Sequence, residues 1–459
     1  MSAGRFDVAV IRYRELIKAF PDNPGMAMNL GLALHSASKY EDAVVQFQKA
    51  LQMQPSLPAA WFLLGLDYQK LNRPKEAVAS LRRARDLDPG NEKVHLELAD
   101  ALFQSANFSE AAAEFGSLAD ANRSDPKAWL GLGLSYSSLA GQAFEKMERD
   151  FSHSAYVYML LAQSRADQHQ YRSAYQNYRK ALSLDPGLAE AHSAIADIYR
   201  ATGHPDWAQA EETAIETATA VGCAAPGFPC LFAEKRYDSI LTAASNQRTP
   251  ESGYWSARAY QALALRAQET LAQLPPSAEL HQLLAVMYDL QELYPDAAQQ
   301  WREALKLQPG NRNFRKKLAW SLSGSGEWEA AAAAAAELQN QDPGNTEIAF
   351  LLGDALLNLQ RPESAIPQLE EVVSREPANL RAHASLGRGY LLIRKLPEAI
   401  QHLERALPSD RDGAIAYQLA QAYRGAGQAQ NATRLMKKYS DIKKLSEEAK
   451  NRANEITAP

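Results

Sequence analysis

Histidine and cysteine are the side chains of this sequence that could bind a metal ion or carry out acid-base chemistry. The chain has nine histidines and two cysteines. Zinc sites in proteins take such ligands in close pairs, as in HExxH or in two CxxC elements. The sequence contains no HExxH motif and no pair of CxxC elements. We therefore predict no metal site and no bound cofactor.

Four of the histidines recur at one place in a repeating pattern, in a slot that holds tryptophan elsewhere. The histidines and tryptophans of this slot are His95, His192, His281, His383, Trp61, Trp129 and Trp255. Recurrence with the repeat indicates packing rather than catalysis. The sequence also has no complete GxGxxG, GxxxxGK[ST] or GxSxG motif. We predict no catalytic residue and conclude that the chain is not an enzyme.

The two cysteines, Cys223 and Cys230, lie in the turn-rich segment CAAPGFPC. In an exported protein they could close a small disulfide, whereas in a reducing cytosol they would remain two thiols. The sequence leaves both alternatives open.

The slot belongs to a period of 34 residues that runs along most of the chain. The prolines that mark this period near the two ends are Pro21, Pro55, Pro89, Pro309, Pro343 and Pro377. A period of this length indicates a stacked helical array. Within 24–57, Leu30 and Leu34 share one face of a first helix, and Tyr40 and Phe47 share one face of a second. Each period therefore predicts a helical hairpin.

These residues resemble the tetratricopeptide repeat (TPR) family. Its pattern has an aromatic residue or Leu, then Leu-Gly/Ala and Tyr in the first helix, and Ala, Phe/Tyr, Ala and Pro in the second. The unit 58–91 matches it with Trp61, Leu64, Gly65, Tyr68, Ala77, Leu81, Ala84 and Pro89. Clear matches cover 24–57, 58–91, 92–125, 155–188, 189–221, 278–311, 312–345, 346–379, 380–412 and 413–446. The resemblance implies an all-α, right-handed superhelical solenoid of antiparallel helix pairs.

The repeats divide the chain into six parts. These are a half repeat with only a second helix at 1–23, regular units at 24–125, units beginning with an irregular one at 126–221, irregular units with the Cys/Pro loop at 222–277, regular units at 278–446, and a helix end and tail at 447–459. We expect irregular hairpins at 126–154 and 252–277. We also expect a bend in the solenoid across 221–253, where Pro and Gly cluster.

In TPR proteins the first helices line a concave groove, and the resemblance implies that partner-binding side chains stand there. In the amino-terminal part these positions are Phe62, Leu66, Gln69, Leu96, Asp100, Phe103 and Leu130. In the carboxy-terminal part they are Lys316, Trp320, Phe350, Asp354, Arg388, Tyr417 and Arg424. The first set is mainly apolar, and the second is mixed with charge. The family's carboxylate clamp for chaperone tails is not expected, because its positions correspond here to Met28, Leu32, Leu63, Lys93 and Glu97, of which only Lys93 fits.

Composition and charge limit the classes of partner that this chain can bind. The formal net charge is −5 and 22% of the residues are charged, so no excess of Lys and Arg favours a nucleic acid. No apolar run approaches the roughly 20 residues that span a membrane.

We predict a non-enzymatic scaffold that binds a peptide or protein partner in the groove. The alternative is a helper or detached TPR region of a larger enzyme or envelope assembly complex, such as a glycosyltransferase or a kinase partner.

The N-terminal segment before Pro24 leaves two further questions. It has no uninterrupted apolar core and no small-residue cleavage site, so as written it is not a signal peptide and indicates a cytoplasmic protein. Because it starts at a second helix, we hypothesise a helix upstream of Met1, and an extracytoplasmic protein if a signal peptide lies there too. The incomplete repeat could also pair with another copy of the chain.

Overall fold

The computed structural model describes residues 4–218 and 227–452, with side chains at 6–213 and 227–445. These residues form 25 α-helices and one short 3-10 turn at Leu407–Ser409. The helices are α1 Gly4–Ala19, α2 Pro24–Ser36, α3 Tyr40–Met53, α4 Pro58–Lys70, α5 Pro74–Leu87, α6 Glu92–Gln104, α7 Phe108–Ala121, α8 Pro126–Phe151, α9 Ala155–Asp167, α10 Tyr171–Leu184, α11 Ala189–Ala201, α12 Pro205–Ala218, α13 Phe228–Ala233, α14 Tyr237–Ser245, α15 Pro250–Gln273, α16 Ala278–Leu290, α17 Tyr294–Leu307, α18 Arg312–Gly324, α19 Trp328–Gln341, α20 Thr346–Asn358, α21 Pro362–Arg375, α22 Leu380–Leu392, α23 Leu396–Ala406, α24 Ala414–Gly425 and α25 Ala429–Arg452.

The predicted fold class is confirmed, since the described chain is helical throughout and most consecutive helices pair. The contacts divide it into two compact units. One comprises Met1–Leu160 and Val221–Pro275, and the other Leu161–Ala220 and Pro276–Pro459. Each of the ten ranges that match the repeat pattern holds a helix pair, and only α25 of the last one extends beyond its range, to Arg452.

Each regular hairpin turns at one residue with a left-handed backbone. In the first three units this residue is Ser38, Asn72 or Ala106, with φ of 58°, 55° and 61°. Glycine adopts this conformation without steric cost, and Gly326 with φ of 80° occupies the same register in its own unit. The turn therefore depends on register more than on residue type.

In several units the recurring Trp/His slot connects the first helix to the loop before it. The Trp61 indole Nε1 donates a hydrogen bond to the Pro55 carbonyl at 2.8 Å, and the His95 Nε2 lies 3.0 Å from the Pro89 carbonyl. Arg315 donates to Pro309 in the same way at 3.1 Å. Where the slot holds Trp61, His95 or Arg315, its side-chain nitrogen thus reaches the same loop carbonyl, whereas Ala27, Ala349 and Ala416 fill it as small core residues.

Two long helices stand where the sequence predicted irregular hairpins, and both predictions are wrong. A single helix, α8, covers 126–151, and another, α15, covers 250–273. At the register of the hairpin turn α8 has Ala140, which is helical and buried, with only 7% of its surface exposed. No left-handed residue interrupts either helix, so neither folds back on itself.

Helices α8 and α15 instead pack against each other within one unit. A Cβ added at Gly133 of α8 would lie 3.6 Å from the Ala267 Cβ of α15. In the first hairpin, Gly31 holds the same register and a Cβ there would lie 2.6 Å from the ring of Phe47 on the second helix. Helix α15 therefore takes the place of the second helix in the repeat that α8 begins, although about a hundred residues separate them in sequence.

The segment between α8 and α15 includes the predicted bend at 221–253. Residues 221–226 of that bend lie outside the described residues. Beyond them, α13 and α14 form a short pair that leads into α15. Trp255, which the sequence placed in the Trp/His slot of a first helix, is a buried residue of α15 whose ring contacts Phe232 and Tyr254.

Candidate partner-binding surface

The first helices form the inner face of the unit that contains α1 to α8. Neighbouring first helices contact one another, as α2 does with α4, α4 with α6 and α6 with α8. His35 Nδ1 lies 2.5 Å from Asp67 Oδ1, which ties α2 to α4. The second helices are joined by long side chains, as in the Arg82–Glu110 ion pair between α5 and α7. Closer approach of the first helices makes their side the concave one.

An apolar surface, which we call the amino-terminal groove, follows this inner face. It comprises Leu32, Phe62, Leu66, Leu96, Glu97, Asp100 and Phe103 on α2, α4 and α6. Phe62, Leu96 and Phe103 are half-buried because one side of each packs on the core beneath. Leu32 is 43% exposed. The apolar side chains of the groove thus pack on the core on one side and face solvent on the other.

Two of the amino-terminal positions predicted from sequence are not open groove residues. Leu130 on α8 is only 8% exposed and presents almost no surface. The Gln69 side-chain amide donates a hydrogen bond to the Glu97 backbone carbonyl at 3.2 Å, which fixes α4 against α6. Gln69 therefore supports the floor of the groove.

Two acids, Glu97 and Asp100, lie side by side on α6 in this groove. The Asp100 side chain is exposed on the concave face. Many protein atoms lie near it on that face and reduce its hydration. Loss of hydration raises the pKa of Asp100 to about 7, and repulsion from Glu97 adds to the rise while Lys127 opposes it. Burial likewise raises the pKa of Glu97, against attraction from Lys70 and Lys127.

The carboxy-terminal groove lies on α18, α20 and α22 and comprises Lys316, Trp320, Phe350, Asp354 and Arg388. Its two aromatic rings stack with centroids 6.3 Å apart. Phe350 is only 8% exposed, and the Arg381 guanidinium carbon lies 5.1 Å above its ring centre. A cleft of about 240 Å³ opens beside these rings.

The charged side chains of the carboxy-terminal groove already have partners. Lys316 Nζ lies 2.8 Å from a Glu347 carboxylate oxygen. Ser385 donates a hydrogen bond to the Asp354 carboxylate at 3.1 Å, and Arg388 donates to the Asn358 side chain at 3.0 Å. These bonds join successive first helices to one another. The remaining two predicted positions, Tyr417 and Arg424 on α24, are exposed, and the Tyr417 ring packs on Tyr439 of α25.

Sequence reasoning missed Leu32 and Glu97 as groove residues, because both were considered only as mismatches to a carboxylate clamp. A signal was available for Leu32. It stands 34 residues before Leu66 and 68 before Asp100, in the same register of successive first helices. A comparison of this repeat position across all the units would have identified Leu32 as a groove residue.

Another group of exposed apolar side chains lies on α1 and just after its end. Val8, Ile11 and Phe20 are each more than half exposed. Helix α1 packs on α2, but among the described residues no first helix of its own repeat lies against its other side. Self-association through this helix stays a prediction.

The remaining sequence hypotheses concern cysteine, metal and membrane. Cys230 lies in α13 and is not a free thiol; Cys223 lies outside the described residues, so the disulfide between them stays a prediction. Within the described residues, no three His, Cys, Asp or Glu side chains come together as a metal site would require. In the same residues no helix has the length and apolarity needed to cross a bilayer.

Helix pairs of near-constant length, stacked in register, define this protein as a helical-repeat solenoid. Tetratricopeptide repeat models match residues 1–58, 37–92, 68–133, 155–188, 288–346, 316–368 and 350–414. Together these matches cover more than half of the chain. The chain belongs to the tetratricopeptide repeat family, whose members are protein-interaction scaffolds.

Several solved structures resemble parts or most of the chain. MamA (41-end) from Desulfovibrio magneticus RS-1 is 18% identical over 37% of this chain and 96% of its own, with a TM-score of 0.33. TTC0263, a thermophilic TPR protein of Thermus thermophilus, is 20% identical over 39% of this chain and 97% of its own, with a TM-score of 0.32. Yeast Tom70 is 16% identical over 94% of this chain and 95% of its own, with a TM-score of 0.33. Likeness at this level bears on neither partner nor site. No curated protein sequence matches the chain significantly.

Proposed function

We propose that this chain is a non-enzymatic scaffold that binds a peptide segment of a partner protein in the amino-terminal groove. The observation that carries the proposal is the exposure of Leu32 beside the half-buried Phe62, Leu66 and Phe103 on the concave face. Large contiguous apolar patches with a polar rim are typical of interaction sites on soluble proteins.

The contrast between the two grooves favours the amino-terminal one. In the carboxy-terminal groove Lys316, Asp354 and Arg388 each already bond to a neighbouring first helix. These bonds hold the charged groups to the array, so a partner would compete with them for the same side chains. In the amino-terminal groove the apolar side chains are already positioned by the core and need no rearrangement, which lowers the entropic cost of binding.

The expected affinity is moderate. A segment that removes about 600 Å² of apolar surface from water, counted on both partners, gains about 15 kcal/mol. Loss of translational and conformational freedom cancels roughly half of this gain. A dissociation constant of about 3 μM follows.

The test uses a displayed library of random 12-residue peptides, selected on the full chain. Binders are then measured by fluorescence anisotropy against the variants Leu32→Ser and Leu87→Ser. Both leucines are 43% exposed, but Leu32 lies in the groove and Leu87 ends the second helix α5. We expect L32S to weaken binding about tenfold and L87S to leave it within twofold, with thermal melts of both variants near wild type. If no selected peptide distinguishes the two variants, the proposal is wrong.

A further inference from the structure

We propose that the segment bound in the amino-terminal groove carries a Lys or Arg side chain that pairs with Glu97 and Asp100, next to apolar residues that contact Leu66 and Leu32. This inference rests on the proposed function and adds the chemistry of the partner to it. Leu32, Leu66 and Asp100 hold one register on α2, α4 and α6, and Glu97 lies one turn before Asp100.

The placement of the acids comes from helix geometry. Glu97 and Asp100 are three residues apart on α6, and residues at this spacing are neighbours on one helix face. Leu96 precedes Glu97, and Phe103 lies one turn beyond Asp100 on the same helix. The acids therefore stand between apolar side chains, and a cation bound there would be flanked by them.

The charge of the two acids is not neutralised by an ion pair. Among the described side chains, no Lys or Arg nitrogen lies within 4.0 Å of either carboxylate. Glu114 on the neighbouring helix α7 is different, since both Arg85 and His95 reach it at 2.7–2.8 Å. An acid pair left open in a concave apolar surface is electrostatically complementary to a cationic group, and such complementarity sets the specificity of binding.

The groups around Asp100 agree with this arrangement. Lys70 on α4 and Lys127 on α8 act on the acids from a distance, and Glu97 repels Asp100 on the same helix. Neither lysine forms an ion pair with these acids, whereas repulsion from Glu97 contributes to the raised pKa of Asp100. A partner cation would relieve that repulsion, so binding should strengthen as Asp100 loses its proton.

The register of the groove predicts the spacing within the bound segment. Leu32, Leu66 and Asp100 occupy one register of three successive first helices, and packed helices lie about 10 Å apart. An extended chain advances about 3.3 Å per residue. The cation and the apolar residues should therefore recur about every third residue along an extended segment.

The test sequences the peptides selected from the 12-residue library and measures them against charge variants of the full chain. The variants are Asp100→Asn and the double variant Glu97→Gln/Asp100→Asn, with Asp120→Asn as the matched control. Asp120 is an exposed aspartate of the second helix α7 that makes no ion pair among the described side chains. Synthetic versions of one binder with Arg, Gln or Glu at the cationic position complete the set, each measured at pH 6 and pH 8.

We expect groove-dependent binders to be enriched in Lys or Arg, and the Arg peptide to bind at least tenfold more tightly than its Glu version. The double variant should remove this preference, D100N should reduce it about threefold to tenfold, and D120N should not change it. Affinity for the Arg peptide should rise severalfold from pH 6 to pH 8 in the wild type and stay level in D100N. Binders that depend on Leu32 but carry no cation, or a preference for Arg that survives the double variant, would overturn this inference and leave the proposed function standing. Absence of any Leu32-dependent binder would overturn both.

Discussion

His95 connects two elements of its repeat through both nitrogens of its ring. Nδ1 lies 2.7 Å from the Glu114 carboxylate on α7, and Nε2 lies 3.0 Å from the Pro89 carbonyl. Both partners are acceptors, so only the imidazolium can donate to both. Burial disfavours the cation, but the Glu114 carboxylate and the Pro89 carbonyl outweigh it and the pKa of His95 is raised.

We predict that His95 makes stability depend on pH. Because the folded pKa lies above the unfolded value near 6.5, the added stability is fully present below that value and is lost as pH rises through the folded pKa. His95→Trp keeps a donor to Pro89, as Trp61 shows in its own unit, but has no charge to lose. Urea unfolding at pH 5.5 and pH 8.5 should show a smaller pH effect in the variant by about 0.5–1 kcal/mol.

Glu114→Gln serves as the control for this prediction, since it removes the charge from the other side of the same contact. E114Q also removes the Arg85 ion pair, but the effects of the two substitutions on the pH dependence should not be additive, because both remove the His95–Glu114 interaction. An unchanged difference between the two pH values in H95W would show that the imidazolium does not contribute.

At the scale of elements, the α8–α15 pair is the part of the fold with the most direct mutational test. Ala267 on α15 is 2% exposed and contributes to the hydrophobic core of the amino-terminal repeats. Ala267→Glu would bury an unpaired carboxylate at that place, and we expect it to cost about 3 kcal/mol or more of unfolding free energy. Hydrogen exchange should show loss of protection in α8 as well as in α15.

Leu265→Glu is the matched control on the same helix, because Leu265 is 55% exposed. It should change stability by no more than about 0.5 kcal/mol. Equal effects of the two substitutions, or protection in α8 that is untouched by A267E, would contradict the pairing of α8 with α15.

The regular hairpins could be predicted from sequence because each depends on neighbours within 34 residues. The Leu, Gly and Ala positions of a unit meet inside the same unit, so periodicity alone identifies them. The α8–α15 pair could not be predicted in this way, because Gly133 and Ala267 meet across a segment that contains other repeats. Neither local sequence contains a matching second helix. Neither pattern indicates that α8 and α15 pack against each other.

The candidate site was predictable to a similar degree. Register identified Phe62, Leu66 and Asp100, but not how much of each side chain the core would cover. Leu130 and Phe350 have the right register and are nevertheless almost fully buried. The exposure of a side chain depends on how the adjacent helices pack. The position of a residue in the repeat does not specify that packing.

At the scale of the whole molecule, the two grooves of this scaffold should differ in function. Arg388 holds the register in its unit that Leu32 holds in the first hairpin, but its guanidinium is bonded to Asn358 of the preceding first helix. We predict that Arg388→Ala leaves the affinity for selected peptides within twofold and lowers the unfolding free energy by about 1 kcal/mol. L32S should show the reverse, with weaker binding and unchanged stability.

Anisotropy and urea unfolding on the same protein samples measure both quantities. A loss of peptide affinity in R388A as large as that in L32S would mean that the carboxy-terminal groove also binds, contrary to the contrast drawn from its internal hydrogen bonds.

The partnership of α8 with α15 also has a consequence for synthesis on the ribosome. Most of this chain makes contacts between neighbouring hairpins, which can form as soon as each hairpin has emerged. Helix α8 cannot meet its partner until about a hundred further residues have been made, which takes about 5–20 seconds at typical rates of translation. During that interval the apolar face around Gly133 has no cover from its own repeat. A nascent chain of this protein therefore offers chaperones a defined site for a defined time, which ends when α15 arrives.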